Sequence, residues 1–151
     1  VNVDSQENLT EIIIALKEIQ QKIVFPIHPR TKKMLNSYQI HLPANVKAVS
    51  PLEYTEMLVL EQAANCIMTD SGGIQKEAYL MGTPCITLRE ETEWVETVKT
   101  GWNILVGADR DRIISTYRNF HPTGKRPQLF GNYHAAEKIV EKTLEWMNGN
   151  E

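Results

Sequence analysis

Cysteine is scarce in this 151-residue sequence, and the two present, Cys66 and Cys85, stand far apart in no metal-ligand spacing. That excludes a disulfide-stapled scaffold and a zinc ribbon, and it suits a reducing, cytoplasmic setting. Long apolar runs are missing: the longest are a few residues, against the roughly 20 that a membrane-spanning helix needs. No membrane partner is therefore expected. A basic surplus is missing too, since 16 Lys and Arg against 19 Asp and Glu leave a formal charge of −3. A nucleic-acid partner, which needs phosphate-neutralising charge, is not expected. No basic–apolar–small leader opens the sequence, so no secretion signal is expected. Internal repeats and low-complexity tracts are absent. What is there is 42% hydrophobic and 23% charged, a globular balance at a length that suits one domain with a real core.

Apolar residues Leu9, Ile12, Ile13, Leu16 and Ile19 recur at helical spacing, and Asp4 with Glu7 reads as a capping box. A helix over about 5–22 is expected. Short apolar runs at 23–27, 46–49, 66–69, 84–88 and 103–106 read as strands. Helical stretches separate them at 31–38, 52–64, 74–82 and 93–99. Further helices are expected over 109–120 and 133–148, the last with Ile139, Val140, Leu144 and Met147 on its inner face. Strands that are continuously apolar and separated by helices imply βα repeats. The fold class expected is α/β: a doubly wound, Rossmann-like, mostly parallel sheet with helices on both faces. Such sheets bind ligands at the carboxyl ends of their strands, so the loops after Ile27, Val49, Thr69, Leu88 and Val106 are the ones to inspect.

Thr69-Asp70-Ser71-Gly72-Gly73 leads from a strand into a helix. Adjacent glycines let backbone approach a ligand, Ser71 offers a hydroxyl, and the helix start offers free N–H groups and a positive dipole end. This could seat a diphosphate, with Glu77 one turn on to accept bonds from sugar hydroxyls. A tight strand-to-helix turn would use the same residues. The pattern is neither a P-loop nor a dinucleotide fingerprint. His28 and Arg30 follow the first strand, where a solvated turn is the competing reading. Arg89 and Glu93 bracket the loop after the fourth strand, amid glutamates that otherwise read as a solvated face. Asn103, Trp94 and Trp102 are weaker candidates. Ser71, His28 and Asp70 hold the residue types of a hydrolytic triad, but the nucleophile elbow is missing and Asp70, adjacent to Ser71, cannot orient a distant His. The four histidines show no ligand spacing, so no metal is expected.

The motif is longer than one loop. Met68 to Gly73 continues through Ile74-Gln75-Lys76-Glu77-Ala78 to Gly82-Thr83-Pro84, then Leu88-Arg89-Glu90-Glu91-Thr92-Glu93-Trp94-Val95-Glu96 and Gly101-Trp102-Asn103-Ile104-Leu105-Val106-Gly107. This closely resembles the C-terminal lobe of the non-hydrolysing UDP-N-acetylglucosamine 2-epimerases, enzymes of the two-lobed glycosyltransferase-B fold. Asn2-Val3-Asp4, His28-Pro29 and Pro51-Leu52 with Tyr54 resemble other stretches of that lobe, so the likeness covers essentially residues 1–151.

The resemblance implies that Ser71, Gly72 and Gly73 hold the diphosphate of a UDP-sugar and Glu77 the ribose. It places His28 at the reaction centre as a catalytic residue, Arg89, Thr92 and Glu93 at the cleft mouth, and Pro51 to Tyr54 beside uracil. The implied reaction is epimerisation at C2 by elimination of UDP and its re-addition, with no cofactor. The implied partner is an N-terminal lobe outside this sequence, which carries the principal catalytic carboxylates; a homodimer is compatible. The family also places a strand just before the stretch that Asn2-Val3-Asp4 resembles, so the sheet is expected to be completed from outside these residues. Two departures matter. Gly131-Asn132-Tyr133 stands where the family has Gly-Asp-Gly. Thr92-Glu93-Trp94-Val95-Glu96 is similar to members acting on related sugars, including diacetamido-uronic acid nucleotides. A UDP-sugar glycosyltransferase lobe and a UDP-binding module without turnover are the other readings.

Overall fold

The structure, a computed structural model, describes residues 2–124, 126–131 and 134–148. A 3-10 turn at Asn2–Asp4 precedes α1 (Gln6–Ile19), β1 (Ile23–Pro26), α2 (Pro29–Ser37), β2 (Val46–Val49) and α3 (Tyr54–Ala63). Then come β3 (Ile67–Thr69), α4 (Gly72–Met81), β4 (Cys85–Thr87), α5 (Val95–Lys99), β5 (Asn103–Leu105), α6 (Arg110–Asn119) and α7 (Ala135–Asn148). None of the helices among the described residues is long and apolar enough to cross a membrane.

The helix ends follow local side-chain chemistry. Ser5, not Asp4, caps α1: its Oγ accepts from the Asn8 N–H at 3.2 Å. The expected Asp4–Glu7 capping box is not used, because Asp4 lies in the 3-10 turn and takes the Arg30 guanidinium at 2.5 Å. The helix stops at Ile19, short of 22, where Gln20 turns to φ 58°. Pro29 is the first residue of α2, a position that needs no N–H, and the His28 side chain caps it by accepting from the Arg30 N–H at 3.2 Å. Gly82 ends α4, with φ 78° and the Thr83 N–H reaching back to Ala78 O at 2.9 Å.

Every strand pairing is parallel, as the βα pattern implies, but the sheet comes in two pieces, β1–β2 and β3–β4–β5. One apolar core spans both. Leu9, Ile12, Ile13, Leu16 and Ile19 of α1 are buried together with Ile27 and Val46 on one side and Ile86, Val106 and Ile113 on the other. Burial of each such side chain contributes about 1.5–3 kcal/mol, so α1, packed along α6, joins the pieces. Between them lies a cavity of about 680 Å³, bordered by all of β1, by Cys66 to Thr69, and by side chains of α1 and α3.

Helix α7 departs from expectation. Ile139, Val140, Leu144 and Met147 are 52–66% exposed, and no residue of α7 is buried. The amphipathic stripe is real, but no surface among the described residues covers it. Asn132 and Tyr133, in the Gly-Asn-Tyr stretch, lie outside the described residues.

Glu61 on α3 is only 2% exposed, and neither carboxylate oxygen has a hydrogen-bond partner. Burial first, and the charge of Glu77 second, push its pKa up to about 7 from 4.5. A carboxyl that holds its proton more tightly when folded leaves stability intact below 4.5, where both states are protonated. Stability then falls as the pH rises toward about 7, because the unfolded chain ionises first. Glu61→Gln should therefore melt at a higher temperature than the native chain at pH 8 and at the same temperature at pH 4.5. Parallel melting curves across that range would clear Glu61 of the effect.

Candidate functional site

Parallel winding delivers the loops after β1, β3, β4 and β5 to one end of the sheet. At that end α4 begins with Ser71 as N-cap, and Ser71 makes no capping bond with its own side chain. Its N–H instead goes to Thr69 Oγ1 at 3.0 Å. The first turn of α4 closes from Gln75 N–H to Ser71 O at 3.2 Å, leaving the amides of Gly72, Gly73 and Ile74 without intrahelical acceptors. Three donors, the dipole's positive end and an uncommitted hydroxyl converge, which is what an oxyanion needs.

The loop from Arg89 to Trp94 forms the next wall. Trp94 Nε1 donates to Gly72 O at 2.7 Å, and the Trp94 N–H donates to Thr92 Oγ1 at 3.0 Å. Thr92 in turn donates to Gln75 Oε1 at 2.5 Å. The same oxygen takes Asn103 Nδ2 at 3.3 Å, and Asn103 Oδ1 accepts from Thr87 at 2.7 Å. Gln75, Thr87, Thr97 and Asn103 are all at most 1% exposed. A buried polar chain thus fastens α4, β4, β5 and this loop together. Trp94 also meets Phe130 edge-on at 5.5 Å, with Lys76 Nζ 4.8 Å over its ring. Arg89 pairs with Glu93 at 3.2 Å, with the two side chains 32% and 50% exposed. Exposed pairs are worth about 0–1 kcal/mol, so an arriving anion can take Arg89 over.

The two glycines differ. A Cβ on Gly72 would run into the Glu93 carboxylate and approach the Trp94 indole, so the docked loop explains that glycine. A Cβ on Gly73 would meet only Ser71 Oγ, at 3.8 Å. Gly73 sits exposed in a helix with ordinary helical φ, so neither crowding nor backbone conformation requires it.

The structure gathers most of the expected residues. Ser71, Gly72 and Gly73 stand at the start of α4 with Glu77 one turn below, and Arg89, Thr92 and Glu93 lie on the loop against them. His28, Asp70 and Ser71 border one cavity. Thr92 is held inside the buried polar chain rather than free. Asn103 belongs to the same chain, and Trp94 and Trp102 pack against neighbours. Glu90 pairs with Arg112 at 3.2 Å. Burial pushes both the Cys66 and the Cys85 thiols up to about 12, so neither is a nucleophile at neutral pH. Among the described residues no three His, Cys, Asp or Glu side chains form a metal-holding group. Gln75 and Glu61 were missed as residues of interest. For Gln75 the available signal was helical spacing: it shares the buried face of α4 with Ala78 and Tyr79, whereas Ile74 and Met81 are half-buried.

A sequence model of the family described as UDP-N-acetylglucosamine 2-epimerase matches residues 1–144. The chain belongs to this family. A Methanococcus maripaludis UDP-N-acetylglucosamine 2-epimerase homolog is 48% identical over 93% of the chain and 41% of its own length. The Pseudomonas aeruginosa UDP-2,3-diacetamido-2,3-dideoxy-D-glucuronate 2-epimerase is 42% identical over 93% of the chain and 40% of its own length. The solved Methanocaldococcus jannaschii UDP-GlcNAc 2-epimerase, in complex with UDP-GlcNAc and UDP, superposes with a TM-score of 0.86 at 40% identity, over 95% of the chain and 42% of that structure. The chain thus spans about two-fifths of the length of the relatives it matches.

Two substitutions separate structural from ligand roles. Gly73→Ala should stabilise the chain by about 0.4–1 kcal/mol, because alanine loses less backbone freedom in a helix. Gly72→Ala should lose that gain by displacing Glu93. Equal effects in urea denaturation would refute the distinction. Gln75→Leu should cost about 1–3 kcal/mol by orphaning Thr92 and Asn103, read in the same assay.

Proposed function

We propose that the protein containing this chain interconverts UDP-N-acetylglucosamine and UDP-N-acetylmannosamine, and that this lobe binds the nucleotide. The observation that carries the reading is Gly73, a glycine that packing and φ leave unexplained, beside three open amides and the free Ser71 hydroxyl. A diphosphate seated there needs the close backbone approach that a side chain would block. It also needs no basic surplus, which the net charge of −3 lacks.

In the proposed reaction the sugar C1–O bond breaks as the C2 proton is removed, and the bonding pair leaves on the β-phosphate of UDP. The product held in the cleft is a 2-acetamidoglucal. UDP then re-adds while C2 regains a proton on the opposite face. A poorly acidic C–H makes the leaving group's charge the main electrostatic demand. Ser71, the amides of Gly72 and Gly73, and Arg89 released from Glu93 hold that charge. Glu77 accepts the ribose hydroxyls. His28 stands beside the diphosphate and the reacting carbons, Thr92 holds the cleft loop in place, and Tyr54, 64% exposed, borders the base. The carboxylates that move the C2 proton belong to the N-terminal lobe. We assign the activity to the cytoplasm, in supply of a 2-acetamido sugar nucleotide for surface polysaccharide.

A second sugar, the diacetamido-uronate, is favoured by the Glu93-Trp94-Val95 form of the loop, while identity does not separate the two, at 42% to the diacetamido-glucuronate epimerase and 43% to a UDP-N-acetylglucosamine 2-epimerase. Incubating the full-length protein with UDP-N-acetylglucosamine should yield the manno epimer. Turnover of the diacetamido-uronate substrate alone selects the second reading, and transfer to an acceptor without C2 inversion refutes both. In the full-length protein, Ser71→Ala and Glu77→Ala should each weaken UDP binding at least ~10-fold, equivalent to about 1.4 kcal/mol. Unchanged affinity in both variants removes the site assignment. Gly73→Ala should weaken UDP binding even while it stabilises the fold.

A further inference from the structure

Trp94 is fixed at both its backbone and its ring. Its N–H donates to Thr92 Oγ1 at 3.0 Å, and its carbonyl accepts from the Thr97 N–H at 3.0 Å and from the Thr97 hydroxyl at 2.7 Å. Its ring meets Phe130 edge-on at 5.5 Å, and Lys76 Nζ lies 4.8 Å from the Trp94 centroid and 4.9 Å from that of Phe130. Phe130 is anchored in turn. It meets the ring of the buried Tyr79 edge-on at 5.6 Å, and the Tyr79 hydroxyl donates to Pro127 O at 2.6 Å. Held in this way, the indole directs its Nε1–H to Gly72 O at 2.7 Å.

That bond is surplus to the helix. An α-helix supplies each carbonyl with the N–H of the residue four positions on, and Gly72 is the first residue of α4. A second donor is not needed to satisfy its oxygen. What the second donor does reach is the rest of the peptide group. Gly72 O and the Gly73 N–H are the two ends of one planar unit and point in opposite directions. The unit presents its oxygen to the indole and its N–H to the open start of the helix, where the Gly73 amide is one of three without an intrahelical acceptor. A donor on the oxygen polarises the unit, which makes the N–H at the other end a stronger donor. It also fixes the plane, and with it the direction of that N–H. Gly73 has no side chain to hold the peptide by packing, and a Cβ there would meet only Ser71 Oγ. The restraint has to come from outside the helix, and Trp94 supplies it.

We propose that Trp94 is a positioning residue for the diphosphate: its indole N–H orients and polarises the Gly72–Gly73 peptide, so that the Gly73 amide is aimed at the anion before the anion arrives. The inference rests on the nucleotide reading of the α4 start and adds to it a residue that touches no ligand. A donor already aligned loses nothing in turning to meet its acceptor, which is what makes fixed dipoles effective toward a leaving group's charge. Phe130 and Lys76 act one step further out, by holding the ring.

Trp94→Phe in the full-length protein keeps an aromatic ring beside Phe130 and Lys76 and removes the N–H. UDP should then bind about 3–10-fold more weakly by calorimetry, while uridine, which lacks both phosphates, should bind as before in an NMR titration. Unchanged UDP affinity overturns the proposal. Equal losses for UDP and uridine also overturn it, because they assign Trp94 to holding the loop alone. Phe130→Ala leaves the N–H in place and removes its lateral support, so it should weaken UDP binding less than Trp94→Phe does. A larger loss moves the role to the aromatic contact and overturns the role of the indole N–H. The unsubstituted protein gives a readout that no folding defect disturbs. With UDP bound, the Trp94 indole proton should exchange with solvent at least ~10-fold more slowly than that of free tryptophan, and exchange as fast as free tryptophan overturns the proposal. Ser71→Ala and Glu77→Ala separate this inference from the reading it rests on. Unchanged UDP affinity in those two removes the nucleotide reading, whereas weakened binding there with Trp94→Phe unaffected removes only the role of Trp94.

Discussion

Gln75 Oε1, fully buried in the first turn of α4, takes one hydrogen bond from Thr92 and another from Asn103. Through the first it fixes the loop that carries Arg89 and Glu93; through the second it fixes that loop's support on β5. A buried acceptor with two donors is worth most where water cannot substitute. The position of Arg89 relative to the α4 amides therefore depends on a side chain that faces no ligand. Trp94 completes the arrangement by donating to Gly72 O, at 2.7 Å, on the far side of the same turn.

The adjacent glycines divide two tasks. Gly72 makes room for the chain's own loop, and Gly73 leaves room that nothing among the described residues uses. This accounts for a helix start that tolerates two poor helix formers in succession. Under the proposed reading, a mildly acidic surface receives an anion through oriented backbone and through one arginine whose internal partner is weakly held.

Three features of the lobe lack partners at once. The sheet is divided, α7 presents an apolar stripe to solvent, and Glu61 is buried without a donor. Each is unfavourable alone, since exposed apolar surface and unpaired buried or edge polar groups all cost free energy. Family membership at two-fifths of the relatives' length is consistent with all three. The α7 stripe has the periodicity of an inner face, but nothing among the described residues covers it.

The sequence by itself determined the parallel βα winding, the end of α4 at Gly82, the start of α2 at Pro29, and the gathering of Ser71, Gly72, Gly73, Glu77, Arg89 and Glu93 at one end. These follow from local periodicity, turn chemistry and the rule that parallel strands present their following loops on one side. Helix ends were less legible, since Ser5 and Asp4 both qualify as caps, and it is tertiary structure that engages Asp4 with Arg30 instead. The tertiary structure alone decided that Thr92 and Asn103 are fasteners, that Gly72 and Gly73 differ, and that Glu61 is stranded. Those outcomes depend on contacts between residues 16 to 28 positions apart, such as Thr87 with Asn103, Glu61 with Thr83 and Gln75 with Asn103. Burial and hydrogen-bond satisfaction are properties of the packed chain, and one-dimensional spacing does not encode them.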